Sequence, residues 1–126
     1  MNAALALAVF IGGGLGSLLR FGLSRLVLAM GYKGLFPLAT LITNILASGA
    51  LAFITLLYMQ HKNPSEAQRL FWIVGFCGGF STFSTFSYEN WLLYREQHYG
   101  LLAMNIGVSV ALGLLVFVLM SRGVGE

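Results

Sequence analysis

Five hydroxyl side chains, Ser81, Thr82, Ser84, Thr85 and Ser87, crowd into the stretch GGFSTFSTFS that runs from Gly78 to Ser87. Phe80, Phe83 and Phe86 recur every third residue, and so do Ser81, Ser84 and Ser87, so a helix here carries an aromatic stripe beside a hydroxyl stripe. Hydroxyls donate hydrogen bonds, and an aromatic ring has a positive edge that can face an anion. The two together suit a small, strongly hydrated anion; plain packing is the other reading of the rings. The tandem glycines Gly78 and Gly79, followed by hydroxyls able to bond their own backbone, predict a helix break over Gly78–Thr82. Broken helices at membrane depth free carbonyls and half-helix ends, which are tolerated where they line a cavity or bind an ion.

Two further polar residues stand in apolar surroundings. Asn44, within ATLITNILAS, carries two donors and an acceptor that lipid cannot satisfy. It either bonds across helices or aims its amide at a passing anion. Arg20, within GGGLGSLLRF, lies about two-thirds along the first apolar run, where a central arginine costs about 2.5–3.5 kcal/mol on insertion scales. It therefore needs a headgroup, a partner or water: snorkelling is one reading, a positive lure in an aqueous vestibule the other. Glu89 is expected at the membrane interface, His61 and His98 in solvated loops, and Cys77 in packing.

The elements that must position these residues follow from composition. Of 126 residues 58% are hydrophobic and 9% charged, and a soluble domain of that make-up would leave too much apolar surface wet. The chain is read as an all-α integral membrane protein. A span takes about 20 mostly apolar residues, and four runs qualify, at about 3–30, 35–59, 70–94 and 99–121. They form one four-span domain over residues 1–126, with the third helix broken. Short loops are expected at 31–34, 61–69 and 95–98, and Pro64-Ser65-Glu66 resembles a helix start. The first run lacks a basic leader region and exceeds signal-peptide length, so it is expected to be a span. One cysteine allows no internal disulfide, and no Cys/His cluster has metal-ligand spacing.

Charge placement leaves the orientation open. Four spans put Lys62, Arg69 and Arg122 on one side and Arg25, Lys33 and Arg95 on the other, three against three. Orientation normally follows an excess of Lys and Arg on the cytoplasmic side. The balance points to copies inserted both ways and paired antiparallel; a single orientation decided by one charge or by lipid is the alternative. Four glycine-rich, short-looped helices also pack too tightly for one copy to enclose a solute route, so transport calls for an oligomer.

GFCGGFSTFSTFS (Gly75–Ser87), GGGLGSLLRF (Gly12–Phe21) and TLITN (Thr40–Asn44) resemble the bacterial fluoride channel family, Fluc or CrcB. The resemblance covers the whole chain in length and span number. It implies a dual-topology antiparallel homodimer in the bacterial inner membrane, with two fluoride pores and a structural sodium ion at the helix break. By motif, Phe83 and Phe86 would face the pores, Ser84 and Thr85 would belong to a polar track, and Asn44 would line the pore with Thr40 one turn earlier. Backbone carbonyls of Gly78 and Ser81 would hold the sodium, and Arg20 would draw anions to the vestibule. This chain departs from the family pattern in having Ala39 and Ser48 where glycines are common. In the fourth helix Gly113 and Phe117 stand at two usual hydroxyl positions, leaving Ser109 and Asn105.

The function implied is passive export of cytoplasmic fluoride, protecting against its toxicity. Fluoride enters at acid pH as neutral HF, dissociates inside and leaves as the anion, helped by an inside-negative potential. Two rivals are a small proton-coupled exporter and a non-transporting assembly subunit. The first needs an intramembrane carboxylate, whereas the first helix has Arg20 and no Asp or Glu, and the chain has no Asp at all. The second leaves the hydroxyl and phenylalanine stripes unexplained. No nucleophile, base and orienter occur together, so no enzyme is read here. No nucleotide motif marks a pump, and the partners are membrane lipid and a second copy, not nucleic acid.

Overall fold

The computed structural model of the chain describes residues 2–61 and 63–123, which are helical with no strand among them. Helix α1 covers Ala3–Ala29, α2 Leu38–His61 and α6 Tyr99–Gly123. The crossing between α2 and α6 is assembled from pieces. Helix α3, Glu66–Arg69, runs into a π-helical stretch, Leu70–Cys77, and then α4, Gly78–Phe80; Ser81 and Thr82 leave the helix, and α5 resumes over Phe83–Arg95. Four helical spans result that are long and apolar enough to cross a membrane: Ala3–Ala29, Leu38–Gln60, Glu66–Arg95 and Tyr99–Gly123.

Local chemistry sets the ends. Asn2 caps α1 by accepting the Leu5 N–H at 2.8 Å. Gly31, just past the end of α1, takes φ 86°, a left-handed conformation that glycine adopts without a Cβ clash. The first connection extends beyond the expected 31–34 as far as Pro37, whose carbonyl accepts the Leu41 N–H at 3.2 Å and so starts α2. The expected 61–69 loop is shorter than the composition suggested. Ser65 and Gln68 form a reciprocal capping box, both bonds 3.1 Å, which begins the helix at Glu66. At its other side α2 runs through His61, so His61 ends a helix rather than sitting in a loop; its side chain and Lys62 lie outside the described residues. After α5 the His98 N–H bonds Leu93 O at 2.8 Å and the Gln97 N–H bonds Tyr94 O at 3.0 Å, with Gln97 at φ 63°. This is a Schellman turn with glutamine in the place glycine usually takes.

Packing divides the bundle at the break. Before it, the π-helical stretch and α4 lie along α1; after it, α5 packs on α6, while α2 lies against α6. Gly12 and Gly16 are buried, and a Cβ at either would strike the backbone carbonyl of Phe71 or Phe76; one at Gly79 would strike that of Gly13. Side chains could not relieve such contacts, so these glycines set the α1 approach. The apolar core is small, with Val27, Ala47, Ala52, Cys77, Phe80 and Leu93, whereas large residues such as Phe10, Phe21, Phe53 and Leu114 point outward. An apolar exterior over a small core is what a lipid-facing bundle requires. At the end of α5, the Arg95 guanidinium lies 5.2 Å from the Trp91 ring and Tyr94 pairs with Tyr99 at 5.9 Å, a cluster of the kind that anchors a span at the headgroups.

Candidate functional site

The break is held open by side chains from other helices. Ser81 and Thr82 are extended, at φ −81°, ψ 159° and φ −149°, ψ 117°. The Ser81 N–H and hydroxyl both donate to Cys77 O at 3.0 Å, closing α4. On the far side Thr82 Oγ1 accepts the Thr85 N–H at 3.2 Å, capping α5. Asn44 reaches in from α2 and clasps the Thr82 backbone: its Oδ1 accepts the Thr82 N–H at 2.9 Å, and its Nδ2 donates to Thr82 O at 3.3 Å. From α1, Arg20 Nε donates to Gly79 O at 3.1 Å.

These bonds redistribute the carbonyls. In a continuous helix Gly78 O would take the Thr82 N–H and Ser81 O the Thr85 N–H. Those N–H groups go instead to Asn44 and to the Thr82 hydroxyl. Gly78 and Ser81 therefore present carbonyls without helical partners, while that of Gly79 is taken by a guanidinium. Carbonyl oxygens of this kind suit a hard cation. Among the described residues no group of three or more His, Cys, Asp or Glu could hold a metal by side chains. Gly78 and Ser81 share a shallow crevice of about 140 Å³ with Cys77 and Ser48.

A larger cavity, about 290 Å³, opens beside the break and is lined by Asn44, Ser48, Ser81, Thr82, Phe83, Phe86, Ser109 and Val110. The Phe83 and Phe86 ring centroids are 6.1 Å apart at an interplanar angle of 40°, and Phe83 is 79% exposed on the isolated chain. The stripe seen in the sequence is split, because Phe80 precedes the break and packs in the core against Phe76, 5.9 Å between centroids.

Of the residues singled out from the sequence, Asn44, Ser81, Phe83 and Phe86 come together in this cavity. Gly78 and Arg20 lie at the break beside it. Ser84, Thr85 and Thr40 do not reach it: Ser84 is exposed, the Thr85 N–H belongs to the α5 cap, and Thr40 is buried facing the Glu89 carboxyl. Glu89, expected at the interface, has its Oε1 buried without a partner. It belongs to a separate cavity of about 490 Å³ at the end of the bundle, with Tyr32, Glu96 and His98 on its wall. Ser109 and Asn105, the two fourth-helix positions left by the motif, are bonded to each other, and Asn105 also bonds Asn90 on α5. Asn90 was not legible as a site residue; it stands beside Glu89 near the end of the third span, in a segment already rich in polar side chains, and only its burial shows that its amide must find a partner.

Fold and site together define a small four-span membrane protein whose third span breaks open beside a polar, phenylalanine-edged cavity. Residues 7–121 match the family profile described as CrcB-like protein, Camphor Resistance (CrcB), and the chain belongs to that family. It is similar to the fluoride-specific ion channel FluC of Thermococcus gammatolerans, 47% identical over 120 residues and 94% of each chain. It is also similar to the proteins of the same name from Thermococcus onnurineus, 44% identical over 94% of each chain, and Pyrococcus abyssi, 43% identical over 97% of this chain and 100% of the relative.

Proposed function

We propose that the chain is a passive fluoride-selective channel that exports cytoplasmic fluoride and so protects the cell from it. The observation that carries this reading is the meeting of Asn44, Phe83, Phe86 and Ser109 in one cavity at the break. It occurs in a chain whose relatives bear the name of fluoride channels. The clasp on Thr82 uses the Asn44 oxygen and one amide hydrogen, and the second hydrogen remains for an anion. Ring edges of Phe83 and Phe86 add positive potential without a fixed charge that would trap the ion. Arg20, tethered through Nε, keeps its terminal nitrogens for attracting anions to the mouth.

The working unit in this reading is an antiparallel, dual-topology homodimer in the cell's inner membrane. Two features support it: the even split of basic residues and a cavity edged by a largely exposed Phe83, a wall that a second copy would complete. The carbonyls of Gly78 and Ser81 fit a structural sodium ion, which would tie the two copies together at their breaks. Neither the exporter nor the assembly-subunit reading accounts for this cavity.

The experiment is fluoride efflux from vesicles carrying the purified protein, with a potassium ionophore to dissipate the voltage. Release well above that of protein-free vesicles supports the channel, and release no faster than theirs refutes it.

A further inference from the structure

A buried hydrogen-bonded chain runs from α5 to the cavity wall. Asn105, 1% exposed on α6, donates from Nδ2 to Asn90 Oδ1 at 2.7 Å. That bond turns the other end of the amide toward Ser109, one turn along α6, and Ser109 Oγ donates to Asn105 Oδ1 at 3.3 Å. Ser109 itself lines the cavity with Asn44, Phe83 and Phe86. A serine has one hydroxyl proton, so Ser109 can give it to Asn105 or to an anion, not to both. Unlike Ser81, whose hydroxyl bonds the backbone carbonyl four residues earlier, Ser109 gives its proton to the Asn105 side chain.

We propose that Asn105 is a positioning residue that holds the Ser109 proton between anion passages and thereby limits how tightly the cavity retains an anion; this rests on the channel reading above. An anion that enters draws the proton across and leaves a buried amide oxygen without its donor, which offsets part of its binding. When the anion moves on, the proton returns to Asn105. A conducting site must bind well enough to admit an ion and weakly enough to release it, and the amide serves the second need. Asn90 fixes the amide in the orientation that makes Oδ1 face Ser109.

The test is the concentration dependence of fluoride efflux from vesicles. Three proteins are compared with wild type: Asn90→Leu with Asn105→Leu, Ser109→Ala, and all three changes together. Replacing both amides at once leaves neither without its mate and frees the Ser109 hydroxyl, which faces the cavity. The paired change is expected to lower the half-saturating fluoride concentration about fivefold to tenfold, the weight of one modest hydrogen bond, and to lower the maximal flux. With Ser109→Ala present, the same pair should leave half-saturation unmoved. A purely structural role would change protein yield without that coupling. An unaltered half-saturation in the paired variant, or an equal shift with and without the Ser109 hydroxyl, overturns the inference. If the paired variant does not assemble, Ser109→Ala alone decides: half-saturation must rise, and an unchanged value overturns it. Absence of wild-type efflux would overturn the channel reading and the inference with it, whereas saturable wild-type efflux without coupling overturns the inference alone.

Discussion

The side chain of Asn44 substitutes for a helical turn at Thr82, accepting its N–H at 2.9 Å and donating to its carbonyl at 3.3 Å. One residue of α2 thus satisfies both backbone groups that the break would leave without partners at membrane depth. Fold and cavity are coupled through it, since the amide that holds the break open also stands on the cavity wall.

Variants at Asn44 should separate these two roles. Asn44→Leu leaves the Thr82 N–H and carbonyl unpaired and should destabilise the protein by about 1–3 kcal/mol for each group that water does not reach. Asn44→Asp keeps the acceptor for the N–H, so it should melt above Asn44→Leu. A carboxylate facing the cavity should nonetheless cut anion flux severely. Thermal unfolding in detergent together with fluoride efflux checks both; equal melting of the two variants would contradict the clasp.

The α1 glycines give a contrast within one turn. Gly16→Ala sets a Cβ against the Phe76 carbonyl and should cost about 1–3 kcal/mol, because helix backbones must move apart. Gly14→Ala meets nothing within 4 Å and should be tolerated. Melting temperature and folded yield of the two proteins decide between close packing and mere absence of a side chain.

Gln97 occupies a left-handed position at φ 63° in the turn that ends α5. Gln97→Gly should stabilise the protein by about 0.5–1 kcal/mol, since glycine adopts that conformation without the Cβ clash. A drop in melting temperature would contradict the turn.

How copies are oriented can be read by labelling. The only native thiol, Cys77, is buried, so it gives little background, whereas Asn63 is exposed between α2 and α3. With three basic residues on either side, about half of an Asn63→Cys population in intact cells should react with a membrane-impermeant thiol reagent. Complete labelling or none would contradict dual topology.

The spans and the break were legible because each rests on a strong local signal: long apolar runs, tandem glycines, and hydroxyls that compete for the backbone. Asn44 was legible as a polar residue needing a partner, and both readings of it bear on the structure, since its clasp is a cross-helix bond made on the cavity wall. What periodicity could not show was where the helix axis changes direction. Phe80 belongs to the stripe in sequence but precedes the break, so it turns into the core while Phe83 and Phe86 face the cavity. For the same reason Ser84 and Thr85 share a spacing with cavity residues without sharing their face. The Asn90–Asn105 bond joins two helices across a turn, and the turn's left-handed residue is a glutamine, which carries no sequence signal for that geometry.

Paired efflux of two halides decides whether the protein passes fluoride selectively. Vesicles loaded with equal potassium fluoride and potassium chloride, carrying the wild-type protein and given a potassium ionophore, are followed with fluoride- and chloride-selective electrodes. Fluoride should leave rapidly while chloride stays at the level of protein-free vesicles, and Phe83→Ile, which keeps bulk but removes the ring edge, should slow fluoride release without loss of folded protein. Chloride leaving as fast as fluoride would contradict the selective channel, and undiminished fluoride release by Phe83→Ile would contradict the part given to the rings.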